Sequence, residues 1–367
     1  MKLLSCLLLP LLLLTLIACG TAGTGAEGSA ALAQALRYVP SGTQRVVFTD
    51  WTSIKERKGL EALNSAAGPE ENRAFANEVA KEGGAPSNYL DSYTQSEVVR
   101  RLWQPTDLAW EATAQTQGQT PLHLLSFSNP ANIAAILSNF ATTGFNKEEY
   151  RGISVYTQPP GYGVGSASYE PVQKYTAEHV QGNILLTCDN LDLLHSAIDA
   201  SSGGTAAWET ATNIKAVIGQ LGEVSGAFIY SGTAGCRAFS STNQAVTDKS
   251  EVGNEEGELV GPRSQLGAYN AVGVGYRWQQ GEEEPLGLLV MHYKEPNIAQ
   301  ADLQLRRSVA ADGYSLMTGQ EYRATFRLQR AWESSGDLIF WTKMVDKRPG
   351  TWLALAQQGD MAFAACP

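Results

Sequence analysis

Pro121-Leu122-His123-Leu124-Leu125 and Pro285-Leu286-Gly287-Leu288-Leu289 are nearly the same apolar strand written twice. Working outward, Asn132-Ile133-Ala134 has its counterpart in Asn297-Ile298-Ala299, and Glu149-Tyr150-Arg151 in Glu321-Tyr322-Arg323. Gly182-Asn183-Ile184-Leu185 resembles Gly336-Asp337-Leu338-Ile339. Each match alone is short enough to be chance. Their common order implies an internal duplication, with a period far too long for a solenoid repeat. The expected fold is therefore α+β: two similar halves, each an antiparallel sheet with helices on one face.

The pattern between the matches supplies the elements. Arg45 to Asp50 is rich in β-formers and reads as the first strand, with Val224 to Tyr230 its counterpart. Asp107 to Ala114 and Leu122 to Phe127 read as antiparallel strands about a polar turn, and Ile153 to Tyr156 as a further strand. Tyr175 to Val180 and Ile184 to Cys188 read as a hairpin, and Met361 to Cys366 as a final apolar strand. Helical spacing marks Asn72 to Ala80, Gln95 to Leu102, Pro130 to Phe140 and Leu191 to Ala200. Thr52-Ser53-Ile54-Lys55-Glu56 has the hydroxyl-before-acid flavour of a capping box. The halves are expected at 31–204 and 205–367, with a mobile acidic loop near 235–262 carrying Glu251, Glu255, Glu256 and Glu258.

The N-terminus sets the address. Met1-Lys2 precedes an apolar run from Leu3 to Ile17. That run is shorter than the roughly 20 residues a transmembrane helix needs and has no basic stop-transfer flank. It reads as a signal peptide over 1–18. Leu16-Ile17-Ala18-Cys19 resembles the bacterial lipobox. That resemblance implies cleavage before Cys19 and attachment of diacylglycerol to its sulfur, the nucleophile the chemistry requires. Two or more acyl chains hold a protein firmly on a membrane where one is marginal. The Gly/Thr/Ala-rich residues 19–30 read as a flexible tether. The expected location is the cell membrane, lipid-anchored, facing the exterior or periplasm.

Composition narrows the function classes. The chain has 37 acidic and 27 basic residues in 367, and the basic ones form no stripe. Nucleic acid is not an expected partner. Among the five cysteines, Cys6 leaves with the signal and Cys19 takes lipid. Cys188 reads as a buried strand thiol, and Cys236 and Cys366 are candidates for a disulfide in an oxidising compartment.

Chemistry is harder to find. The four histidines, His123, His179, His195 and His292, form no metal-ligand pair, and no metal or cofactor is expected. Gly163-Val164-Gly165-Ser166 lacks the flanking glycines of a nucleophile elbow, and no catalytic residue is assigned. The loop carrying Tyr162, Tyr169 and Tyr175 is the candidate recognition surface, because tyrosines join large rigid area to a hydroxyl. Trp51, Trp103 and Trp110 are further candidates there.

The opening Ala35-Leu36-Arg37-Tyr38-Val39-Pro40, followed by Val46-Val47-Phe48-Thr49-Asp50-Trp51, resembles that of uncharacterised bacterial lipoproteins with two similar halves. The resemblance implies architecture and address, not activity. The leading reading is a non-enzymatic, lipid-anchored envelope protein that binds or scaffolds, with an envelope protein or glycan as partner. A solute- or glycan-binding lipoprotein and a hydrolase of envelope polymers are the alternatives.

Overall fold

The computed structural model describes residues 29–87, 90, 103–159, 173–179, 183–239, 266–279 and 281–366. The lipobox, most of the tether, Gln95 to Leu102 and the acidic segment from 240 lie outside them.

The fold is α+β, built on one antiparallel sheet. Its strands are β1 (Arg45–Asp50), β2 (Leu108–Gln115), β3 (Leu122–Phe127), β4 (Asn146–Tyr150), β5 (Ile153–Thr157), β6 (Tyr175–His179) and β7 (Ile184–Cys188). They continue as β8 (Gly226–Ser231), β9 (Ala271–Trp278), β10 (Pro285–His292), the small pair β11 (Tyr314–Ser315) and β12 (Gln320–Glu321), β13 (Phe326–Ser334) and β14 (Asp337–Met344). The large sheet has 12 strands in the order β13-β14-β10-β9-β8-β1-β2-β3-β7-β6-β5-β4. Two separate sheets were expected. Instead β1 and β8 pair antiparallel, Val47 opposite Phe228, and fuse both halves into one ladder. Outward from that seam each half runs through its next two strands in chain order and then to β7 or β14.

Helices cover both faces, not one. They are α1 (Ala30–Leu36), α2 (Trp51–Arg57), α3 (Pro69–Glu82), α4 (Pro130–Thr142), α5 (Leu191–Ser201), α6 (Thr212–Leu221), α7 (Gly232–Ala238), α8 (Pro296–Asp312) and α9 (Pro349–Gln357). On one face α1, α5 and α6 bury Leu36, Leu194, Ile198, Ile214 and Leu221 against Phe48, Leu124, Leu186 and Ile229. On the other, α2, α3 and α4 pack Trp51, Phe75 and Phe140 against Leu125 and Leu185. There too α8 and α9 pack Leu303 and Trp352 against Val274, Leu289 and Phe340. The strands say why. β3 and β7 are buried at every residue, the continuous apolar pattern of a sheet covered twice. Helix α6 sits so close to β9 that a Cβ at Gly273 would lie 2.6 Å from a Val217 methyl.

Arg151-Gly152 and Ser335-Gly336 form two-residue hairpin turns, with φ positive at both positions of each. The two Glu-Tyr-Arg trios differ in their ion pairing. Arg323 does pair with Glu321, but Arg151 reaches Asp199 at 2.7 Å instead. Met361 to Cys366 is not a strand. It holds the 3-10 turn Ala362–Ala364, whose carbonyls are taken by other groups. Arg306 of α8, fully buried, donates to the carbonyls of Phe363, Ala365 and Gly267, each at 2.8 Å, and to Asp302 at 3.0 Å. Beside it Cys236 and Cys366 are disulfide-bonded, with their Cα atoms 5.1 Å apart.

Candidate functional site

Where the seam ends, a cleft of about 820 Å3 opens between the halves. The first half contributes Asp50, Ser53 and Glu56; the second contributes Glu223, Ser225, Arg277 and Trp278. Asp50 ends β1 and caps α2, its Oδ1 accepting from Ser53 N at 3.0 Å. The cap is thus Asp50, two residues before the Thr52 hydroxyl expected from Thr52-Ser53. The Asp50 amide donates to Ser225 O at 2.9 Å, and the hydroxyls of Ser53 and Ser225 meet at 2.7 Å. Residues 172 apart in sequence are thereby locked across the seam.

Charge in the cleft is held under strain from burial. Desolvation pushes the Asp50 carboxyl up to about 6; amide hydrogen bonds from Ser53 and Thr52 oppose the shift, while Glu56 and Glu223 add to it. Burial lowers Arg277 and the Glu223 carboxylate pulls it back. Arg277 Nε is buried without a hydrogen-bond partner. The Arg57 guanidinium lies 4.5 Å from the Trp278 ring centroid. The cleft therefore offers carboxylates, hydroxyls, a guanidinium and an indole to one bound molecule. Among the described lining residues the Ser53 and Ser225 hydroxyls face each other, Ser29 Oγ accepts from Leu32 N, Thr52 donates to Ala109 O, and there is no histidine.

A second cavity of about 670 Å3 lies across α2 and shares Thr52 and Glu56 with the first. Buried Lys55 lines it and donates to Thr106 O at 2.8 Å. Burial lowers its ammonium, against the pull of Asp107 and Asp50. A smaller one of about 300 Å3 at the opposite end of β1 is lined by Arg45, Tyr230 and Arg237.

The residues singled out in the sequence fall elsewhere. Cys19, Tyr162 and Tyr169 lie outside the described residues. Tyr175 opens β6, is half-buried and packs against the core of the α1/α5/α6 face. Trp51, Trp103 and Trp110 are core residues, at most 2 % exposed, so none can line a recognition surface. His123 is buried against the Thr113 hydroxyl at 3.2 Å, and desolvation lowers its imidazole to about 3. His195 stacks on Tyr150, and His292 meets Asp337 at 2.6 Å. No group of three or more histidine, cysteine or acidic side chains is placed to hold a metal among the described residues. No described helix is long and apolar enough to cross a membrane. Compared with family models, curated proteins and solved structures, the chain matches none.

The sequence carried one clue to the cleft. Asp50 follows an apolar strand and precedes a helix with serine three positions on, a strand-to-helix junction where polar groups gather. Ser225 and Arg277 carried none, because only the β1–β8 pairing brings them to Asp50.

Proposed function

We propose that the protein is a non-enzymatic, lipid-anchored envelope protein that binds a small, polar, hydroxyl-rich solute in the seam cleft. The observation that carries this reading is the lining itself. Asp50, Glu56 and Glu223 present acceptors, Arg277 presents donors, and Trp278 presents a flat apolar wall. Few, convergent polar groups beside an aromatic face are the general make-up of a small-molecule site. Anchorage through Cys19 rests on the lipobox resemblance, and the division into two duplicated halves on the ordered sequence matches.

Thermal unfolding of the full-length chain in detergent against a panel of monosaccharides, oligosaccharides and polyols tests the reading. A solute present at about 100 times its Kd stabilises by roughly 2.7 kcal/mol, a shift of a few degrees. A Ser225→Tyr variant, which fills the cleft, is expected to lose that shift. If no solute stabilises the wild type, or the variant responds equally, the cleft is not the site. Anchorage is read separately: Cys19→Ala protein that stays with the membrane fraction as firmly as wild type overturns it.

A further inference from the structure

The α1/α5/α6 face is covered unevenly. In the first half α5 follows β7 and packs on β6 and β7. In the second half the helix that follows β14 is α9, and it crosses to the opposite face, where Trp352 is buried. The helix packed on β13 is α8, also on the opposite face. Among the described residues, α6 reaches across β9 and β10 to β14 on this side, and β13 beyond it carries no comparable helix, where the first half has α5.

That side is not an ordinary solvated surface. Cross-strand register places Trp332 opposite Ile339, Arg330 opposite Trp341, and Arg327 opposite Lys343, all on this face. Lys343 is in turn two strands from Arg277, both opposite Leu286 of β10. Trp332 and Trp341 are half-buried and meet edge to face with ring centroids 5.0 Å apart. The Arg330 guanidinium lies 4.6 Å from the Trp332 centroid, and that of Arg277 lies 5.7 Å from the Trp341 centroid. Arg327 and Arg330 are exposed, and neither forms an ion pair among the described residues. Lys343 pairs with Glu282 at 3.1 Å. A chain of net charge −10 thus gathers three arginines around two indoles on one strip, Arg327 and Arg330 without an acidic partner among the described residues and Arg277 facing Glu223.

We propose that this strip is a docking surface for an acidic glycan chain, one bearing carboxylates on its sugar rings. Charge complementarity selects an anion. The pairing of arginine with tryptophan selects the kind. A guanidinium stacked on an indole keeps its in-plane N–H groups free to fork onto a carboxylate. The adjoining indole supplies apolar area for the C–H face of a pyranose ring. An acidic sugar unit carries both features within one ring; exposed Arg330 beside Trp332 meets both, and half-buried Arg277 lies beside the second indole, Trp341. The strip meets the seam cleft at Arg277 and leaves it at Arg330 and Trp332, neither of which lines that cleft.

The test is titration calorimetry and tryptophan fluorescence on the full-length chain in detergent. Three probes are compared: oligogalacturonate, neutral maltohexaose, and polyglutamate, which has carboxylates without rings. Oligogalacturonate is expected to bind, quench tryptophan emission and weaken as salt is raised. Arg330→Gln and Trp332→Leu are each expected to weaken it about tenfold. If Trp332→Leu fails to fold, exposed Arg327→Gln with Arg330→Gln provides the same reading without touching the packed indoles. Ser225→Tyr is expected to leave this binding unchanged, so failure of the cleft and failure of the strip are distinguishable. Absence of oligogalacturonate binding overturns the proposal, as does binding indifferent to Arg330→Gln. Polyglutamate binding as tightly, and indifferent to Trp332→Leu, also overturns it and assigns the strip to an acidic protein segment.

Discussion

Replacing Asp302 by alanine strikes the most concentrated polar cluster in the molecule. Both Asp302 oxygens accept from Gly267 N at 2.9 Å, and one also accepts from Tyr293 OH at 2.8 Å and Arg306 Nε at 3.0 Å. Arg306 is wholly inaccessible and cannot turn to water. Removing the carboxylate leaves a buried guanidinium uncompensated, a loss of about 3–5 kcal/mol. The stranded amide and phenol would each cost about 1–3 kcal/mol alone, but they belong to the same network, so the sum is not taken. The net expectation is a loss of about 4 kcal/mol, roughly a quarter or more of the 5–15 kcal/mol usual for a folded domain. Urea unfolding followed by tryptophan fluorescence measures it. Asp302→Asn keeps an acceptor but not the charge and should lose roughly half as much. Arg306→Leu should be no milder than Asp302→Ala, since three carbonyls then lose their donor. A loss under about 1 kcal/mol with an unchanged m-value would refute the claim that this pair holds the C-terminal segment.

Replacing both Cys236 and Cys366 by alanine opens a loop with a sequence separation of 130 residues. The chain-entropy relation gives a loss of about 5 kcal/mol, read as a lower urea midpoint under oxidising conditions that vanishes when wild type is reduced. Gly350→Ala would set a Cβ 2.5 Å from Glu82 O and 2.8 Å from Gly83 Cα, where α3 ends against α9. The expected cost is about 1–3 kcal/mol, and an unchanged melting temperature would contradict the close packing. For Asp50 the folded carboxyl sits near 6 against an ordinary 3.8, so the folded state holds its proton more tightly. Its contribution to stability is fully present below about pH 4, falls as pH rises to about 6 and is flat above. The loss is at most about 3 kcal/mol, less where water screens the cleft mouth. Asp50→Asn retains the cap and should flatten that stretch of the profile; a profile identical to wild type would count against the buried carboxyl.

Much of the fold was legible in periodicity. Ile133, Ile136 and Phe140 share a face of α4, as their spacing requires, and the apolar runs at Leu122 and Ile184 are strands. The layering was not legible, because a run such as Ile184 to Cys188 reads the same whether one face or two are covered. The merging of two sheets was hidden for a different reason. Nothing in Arg45 to Asp50 specifies that its second edge pairs with Gly226 to Ser231. The cleft followed the seam into obscurity, since its residues come from segments far apart in sequence. The tryptophans misled through their size: Trp51 and Trp110 look like recognition residues and serve as core, while Trp332 and Trp341 stand at an edge.

The β1–β8 ladder makes each half a poor candidate for independent life. A fragment ending before Gly226 would leave one side of β1 as an open row of amides and carbonyls in the middle of an apolar sheet, and a fragment beginning there would do the same to β8. Such an edge pairs with any strand of suitable length, including another copy of itself. The segment between α5 and β8, which contains α6, therefore does more than pack on the sheet. It keeps the concentration of the right strand above that of every wrong one, so that a contact which would otherwise be an association is completed within a single chain.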